Sequence, residues 1–200
     1  MKKTLIAATL AAASLGFAAQ ASAAVLDFES LTHDDEIAYV GYSYEEDGFL
    51  VSNLNTSGFD FSVWGSSSMF FTGSTSMMND NDAGVTQLTQ LGGGLFSLSS
   101  ITLATAFPYL TEDNVSVTFI GTLGNGSTVS QTFSVADGAA QVFSFDASFT
   151  SLASVNWTNE AMYSQFDDIN VAAVPEPESY AMLLLGLGVL GAAARRRKSA

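Results

Sequence analysis

Cysteine is absent from this 200-residue chain, and so are lysine and arginine from every position between Thr4 and Ala194. The first absence excludes disulfides, thiolate metal sites and cysteine nucleophiles, so a folded domain has to rest on its apolar core. The second is the stronger constraint. Lys2, Lys3, Arg195, Arg196, Arg197 and Lys198 are the whole basic complement, whereas 18 of the 20 carboxylates lie within residues 24–173, accompanied by the single His33. Salt bridges cannot offset that repulsion. The charge must be spread over solvated loops or gathered around a metal ion, and outside the cytoplasm calcium, a hard cation that prefers oxygen, is the one expected. Nucleic acid is excluded as a partner because nothing here could replace the counterions on phosphate. Anionic lipid surfaces are disfavoured for the same reason.

Long apolar runs occur only at the two ends. Met1-Lys2-Lys3 is a charged n-region, residues 4–19 are an Ala/Leu-rich h-region, and Ala21-Ser22-Ala23 is a small-x-small cleavage site. Residues 1–23 therefore read as a signal peptide for the Sec machinery, leaving Ala24 as the mature N-terminus. At the other end Val174-Pro175-Glu176-Pro177-Glu178-Ser179 precedes an apolar stretch, residues 180–194, and the cluster Arg195-Arg196-Arg197-Lys198. The two prolines forbid helix and leave an extended strip suited to a peptidase groove. The apolar stretch reads as a transmembrane helix, and the basic cluster puts the C-terminus in the cytoplasm. At 1.5 Å per residue it reaches only about 22 Å against a hydrocarbon core of about 30 Å, so it suits a transient anchor.

The order Val-Pro-Glu-Pro, spacer, Ser179, aromatic Tyr180, Leu/Gly-rich helix and Arg cluster resembles the PEP-CTERM sorting domain of Gram-negative bacteria. The resemblance implies processing by exosortase, a passing stay in the inner membrane, and a final place at the cell surface or outside the cell, associated with exopolysaccharide and biofilm.

Between these signals lies one domain, residues 24–173, large enough for a single core. Its strand signals are regular. Val115, Val117 and Phe119 alternate with Ser116 and Thr118; Val129, Gln131, Phe133 and Val135 share one face, with Thr128, Ser130, Thr132 and Ser134 on the other; Phe143 and Phe145 flank Ser144, and Val155 and Trp157 flank Asn156. Gly92-Gly93-Gly94, Gly124-Asn125-Gly126 and Ala136-Asp137-Gly138 supply turns. Further strands are expected over 25–29, 48–54, 59–64, 68–72 and 101–107, and a long acidic loop over 32–47. Short strands without helical periods predict an all-β fold, an antiparallel jelly-roll-like β-sandwich.

Two acidic motifs bracket that domain, Leu26-Asp27-Phe28-Glu29 at its start and Gln165-Phe166-Asp167-Asp168-Ile169 at its end. The pairing resembles jelly-roll modules of the galactose-binding and MAM types, without the MAM cysteines. The resemblance implies a structural cation that ties the termini together, with Asp27, Glu29 and Asp168 as calcium ligands. Asp167 is the substitute for Asp168, since adjacent strand residues point to opposite faces. Solvated strand-end acids are the other reading. Residues 79–84, Asn-Asp-Asn-Asp-Ala-Gly, imitate half of a calcium loop and also suit a plain turn.

Catalysis has little to work with. His33 stands in Thr32-His33-Asp34-Asp35-Glu36, where a solvated loop histidine is expected, and no carboxylate pair marks a strand centre. Sugar binding has more. Tyr42, Tyr44 and Trp64 are the expected glycan contacts, Tyr42 and Tyr44 sharing a face if extended, although each also suits a sandwich core or rim. The sequence thus predicts a non-enzymatic structural or adhesive protein whose partners are extracellular polysaccharide or matrix proteins. A calcium-dependent lectin-like module is the second reading, and a secreted glycoside hydrolase the third.

Overall fold

The computed structural model describes residues 23–55, 58–81, 83–107, 114–158, 164–174 and 185–190. Residues 1–22 of the signal peptide, Ala21 among them, the motif residues Pro175, Glu176, Pro177 and Ser179, and the basic cluster 195–198 lie outside the described residues.

Strand pairing is antiparallel throughout. The strands are β1 (Ala23–Leu26), β2 (Ile37–Gly41), β3 (Ser43–Glu46), β4 (Phe49–Asn53), β5 (Phe61–Trp64), β6 (Met77–Asn79), β7 (Val85–Gln90), β8 (Leu95–Thr105), β9 (Val115–Leu123), β10 (Thr128–Val135), β11 (Gln141–Ser144), β12 (Leu152–Thr158) and β13 (Ser164–Val174). One half runs β2-β5-β6-β13-β8, with β11 on β8 and β1 on β13; the other runs β3-β4-β7-β12, with β9 on β12 and β10 on β9. The halves touch in register at one pair, Phe96 on β8 with Leu152 on β12. There the sheet turns over, and the two halves close on each other as a sandwich.

The fill between them is aromatic. Phe166 on β13 meets Trp157 on β12 edge-on at 5.1 Å, Phe49 on β4 meets Phe96 at 5.5 Å, and Phe119 contacts Trp157, Phe133 and Phe145 at 5.1–5.7 Å. Phe28, Phe61, Phe96, Phe119, Phe149 and Phe166 are all fully buried. Edge-to-face pairs of this kind add about 0.5–1.5 kcal/mol each beyond the area they bury. With neither disulfides nor salt bridges available, this is where the stability resides.

The sequence alternation between 115 and 157 is realised as read. The Gly124-Asn125-Gly126 turn joins β9 to β10 with Gly126 at φ +85°, and Leu123 N–H donates to Ser127 O at 2.8 Å. From it an unbroken register runs from Thr122 opposite Thr128 to Val115 opposite Val135. The first and last strands are neighbours, Leu26 opposite Ile169. Three expectations are corrected. The strand expected over 25–29 ends at Leu26, because Phe28 adopts φ +54° and a 3-10 turn, Glu29–Leu31, follows. The acidic stretch 32–47 holds β2 and β3, joined at a corner through Gly41, whose φ of +104° needs glycine. The strand expected over 68–72 is a run of turns, with Phe70 tilted against Trp64 at 5.0 Å and edge-on to Phe107 at 5.2 Å. This segment forms a small second core on the outside of β5 and β6, with Trp64, Met78 and Ala106.

Ser22–Val174 is one compact unit. In the C-terminal signal residues 185–190 are helical, and no helix of the described residues is long and apolar enough to cross a membrane. The rest of the helix expected over 180–194 lies outside the described residues.

Candidate functional site

The bracketing carboxylates do not converge as the motif implied. On β13 the register slips between Asp167 and Asn170, and Asp168 takes φ +46°. This bulge returns Ile169 and Val171 to the core, puts Asp168 in solvent and buries Asp167 to 1 % exposure. Asp167 accepts hydrogen bonds from the Ser74 hydroxyl and from Asp168 N–H at 2.7 Å. The neighbouring Thr75 N–H donates to Glu29 Oε1 at 3.0 Å, and the Thr32 hydroxyl to Glu29 Oε2 at 2.8 Å. Asp27 instead accepts from Glu29 N–H at 3.1 Å, and Asp168 from the Thr102 hydroxyl at 3.3 Å. Among the described residues no group of three His, Cys, Asp or Glu side chains is placed to hold a metal. The pair brought close is therefore Glu29 with Asp167, not Glu29 with Asp168, and hydroxyl and amide donors meet it where cations are lacking.

Burial pushes the Asp167 carboxyl up to about 7, with the nearby charges of Asp168 and Glu29 adding to it against the hydrogen bonds from Ser74 and Asp168. Burial also raises Glu46, whose Oε2 accepts from Phe28 N–H at 3.2 Å, and Asp80.

The three expected glycan aromatics separate. Trp64 is 8 % exposed under Phe70, and its Nε1–H donates to Ala106 O at 3.0 Å, so its ring is spent on the second core. Tyr44 leans on Phe28 at 5.6 Å with its hydroxyl on Ser30 Oγ at 2.7 Å. Tyr42 is accessible at 37 %, its hydroxyl donating to Gly58 O at 3.0 Å, and Phe59 nearby is 62 % exposed. Behind these two rings lie Asn79 and Asn81 of the expected half calcium loop, of which Asp82 is outside the described residues. Asn81 Oδ1 accepts from Phe59 N–H, and Asn79 Oδ1 from Asn81 N–H and Asn53 Nδ2, so these oxygens face protein donors. A Cβ on Gly58 would overlap the Asn81 side-chain oxygen, which explains the glycine. His33 lies against Gly65 with both ring nitrogens buried and neither hydrogen-bonded among the described residues, so it is not the solvated loop histidine expected.

Residue-by-residue reading missed a surface that only strand register reveals. Ser43, Ser52, Gln87, Asn156, Ile120 and Ser130 stand side by side across β3, β4, β7, β12, β9 and β10. Their chain neighbours Val51, Leu88, Val155 and Phe119 point into the core, so this row faces outward. Gln87 Nε2 donates to Asn156 Oδ1 at 3.0 Å, and the hydroxyls of Thr118 and Thr132 meet at 2.9 Å. No charged residue occurs in β4, β7, β9, β10 or β12. In a chain of formal net charge −14 the outer face of these five strands carries amides and hydroxyls around the exposed Ile120 and no charge, with Glu45 of β3 at its border. Its signal in the sequence was the Ser/Thr/Asn half of each alternation.

Comparison with known proteins bears on both parts of the chain. Residues 173–198 match the family model of the PEP-CTERM protein-sorting motif. No curated protein matches the chain. Similar solved structures include a family 29 carbohydrate-binding module from Piromyces equi, 15% identical, with a TM-score of 0.40 and coverage of 78% of this chain and 92% of that one. Another is the pair of modules, a carbohydrate-binding module and a hydrolase module, of a Clostridium thermocellum endo-1,4-beta-D-xylanase complexed with xylohexaose, 14% identical, with a TM-score of 0.37 and coverage of 78% and 29%. An exo-beta-agarase is 11% identical, with a TM-score of 0.41 and coverage of 78% and 26%.

The buried carboxyl sets a pH dependence. Folded Asp167 keeps its proton up to about pH 7, whereas an unfolded aspartate releases it near about 3.9. The folded state then holds the extra proton between those values, so stability is fully present below about pH 4 and falls as pH rises towards 7. Glu46 and Asp80, also raised, contribute in the same direction. Urea midpoints measured from pH 4 to 8 should fall across this window, and Asp167→Asn should flatten the fall. An unchanged slope in that variant would show that Asp167 is not its source.

Proposed function

We propose that this is an exported, exosortase-processed protein of the cell surface or extracellular matrix, and that its sandwich serves a structural or adhesive role by holding polysaccharide on the outer face of β4, β7, β12, β9 and β10. The observation that carries this reading is the absence of charge on that face. Hydroxyl and amide groups both donate and accept, as sugar hydroxyls do, and neighbouring strands repeat them at about 4.8 Å. Such a face suits an extended, uncharged, hydroxyl-rich polymer. An acidic polymer would meet the repulsion of carboxylates unrelieved by any lysine or arginine in the domain. The role is non-enzymatic: Asp167, the carboxyl held protonated near neutral pH as a general acid requires, is sealed beneath Ser74.

A structural calcium belongs to the same reading, with Glu29 and Asp167, the latter releasing its proton on binding, as carboxylate ligands and the hydroxyls of Ser74, Thr75 and Thr32 beside them. Calcium takes six to eight oxygens, so binding would displace the hydrogen bonds these groups now make to one another. Its contribution would be to tie the segment 74–75 to the 3-10 turn and to β13.

Two measurements test the proposal. Gln87→Ala with Asn156→Ala should weaken binding of uncharged polysaccharide by about tenfold, the loss of a few hydrogen bonds of roughly 0.5–1.5 kcal/mol each, and leave the thermal midpoint unchanged. Trp64→Ala should instead lower the midpoint. Full affinity in the double variant would remove the face from the binding site. For the sorting signal, replacing Pro175, Glu176 and Pro177 with alanine should leave an unprocessed form in the membrane fraction. If the processed species accumulates as before, exosortase does not read this motif.

A further inference from the structure

Among the described strands the sandwich has free edges at β1, β2, β3, β10 and β11, and they are not alike. Natural sheets guard such edges with short strands, charges, prolines or bulges, because an open row of N–H and C=O groups invites another strand. β1 and β11 have four residues each. β2 is interrupted by a register shift between Tyr39 and Gly41. β3 has four residues and carries Glu45 and Glu46. β10 carries none of these protections. It spans eight residues, Thr-Val-Ser-Gln-Thr-Phe-Ser-Val, without charge or proline, in an unbroken register with β9 and with no other strand beside it among those described.

Which backbone groups β10 offers follows from the hairpin. Leu123 N–H bonds Ser127 O, so bonded and non-bonded pairs alternate from there along the ladder. Val129, Gln131, Phe133 and Val135 spend their N–H and C=O groups on β9. Thr128, Ser130, Thr132 and Ser134 aim theirs off the edge, and all four residues are exposed. The side chain of Gln131 is spent within the chain, donating to Ser144 O at 3.1 Å and accepting from Asp146 N–H at 3.0 Å.

We propose that β10 is a self-association edge, pairing antiparallel with β10 of a second copy of this chain about a two-fold axis at Gln131. In that register Thr128 lies opposite Ser134 and Ser130 opposite Thr132 of the second copy, so every outward backbone group gains a partner. On the outer face hydroxyl meets hydroxyl, and on the inner face Val129 meets Phe133. No charge is brought into the seam, which favours a second copy as occupant although the domain as a whole is acidic. The contact is isologous and closes as a dimer, because the remaining edges are guarded. It joins the two neutral faces into one, doubling the length of the surface assigned above to polysaccharide. The edge argument does not depend on that assignment.

Charge exchange tests it in the full-length chain, in enough detergent that each micelle holds one copy, with donor or acceptor dye at an Ala147→Cys site. The native sequence should show energy transfer that rises with concentration, and more at high salt than at low, because screening relieves the repulsion between two acidic domains. Ser130→Glu with Thr132→Glu sets carboxylate against carboxylate in the proposed register, and should weaken association by about tenfold or more. Ser130→Lys with Thr132→Lys should weaken it likewise, and mixing the two variants should restore transfer to native levels or above. Exposed positions are chosen so that folding is preserved, and each variant's thermal midpoint checks this. A native chain that stays monomeric overturns the proposal. So does a native dimer that both variants leave intact. A native chain that shows energy transfer but binds no polysaccharide would overturn the functional reading and leave this one standing.

Discussion

Everything in this domain answers to one electrostatic constraint: carboxylates are numerous and cationic side chains are absent. The fold deals with it by place. Strands are kept almost free of charge, with Glu45, Glu46, Asp167 and Asp168 as the exceptions among the described strands, and the remaining described acids stand outside strands, most of them in contact with water and Asp80 half-buried. Where a carboxylate must enter the protein, its partners are donors of partial charge. Ser74, Thr75 and Thr32 do for Glu29 and Asp167 what lysine or arginine does elsewhere, and the shortfall shows in Asp167, which keeps its proton to about pH 7.

The same constraint shapes both surfaces and core. Without salt bridges or disulfides, cohesion falls to apolar burial, and six fully buried phenylalanines with the T-shaped contact of Phe166 and Trp157 supply it. Excluding charge from β4, β7, β9, β10 and β12 yields a neutral outer face, and it also leaves β10 without the gatekeeping charge that edge strands normally carry. Neutral surface and open edge are two consequences of one compositional fact. The proposed role would use both, since holding uncharged polymer and a second copy requires no counter-charge.

How far the sequence disclosed this depends on whether the deciding contacts are local. The hairpin of β9 and β10 was legible because the alternation and the glycine turn lie within one short stretch. β2 and β3 were not, because they lie in an acidic stretch that looks like loop: β2 takes its strand character from pairing with β5, distant in sequence, and β3 from a hairpin with β4 whose Asp47-Gly48 turn signal was passed over. Trp64 was expected to be a sugar contact because nothing near it shows that Phe70 covers it; a run of turns over the outside of β5 and β6 is a tertiary event. Strict alternation offered Asp167 only as second choice, but a bulge at Asp168 decides which carboxylate faces Glu29. The polar half of each strand was plain in the sequence. Its alignment into one face needed the register.

The measurement that bears most directly on the account is binding of the purified chain to matched uncharged and acidic polysaccharides over a range of ionic strength. A neutral face in an acidic domain predicts retention of uncharged polymer that salt leaves unchanged, with acidic polymer excluded at low salt. Preference for acidic polymer, or no retention of uncharged polymer at any salt, would contradict it.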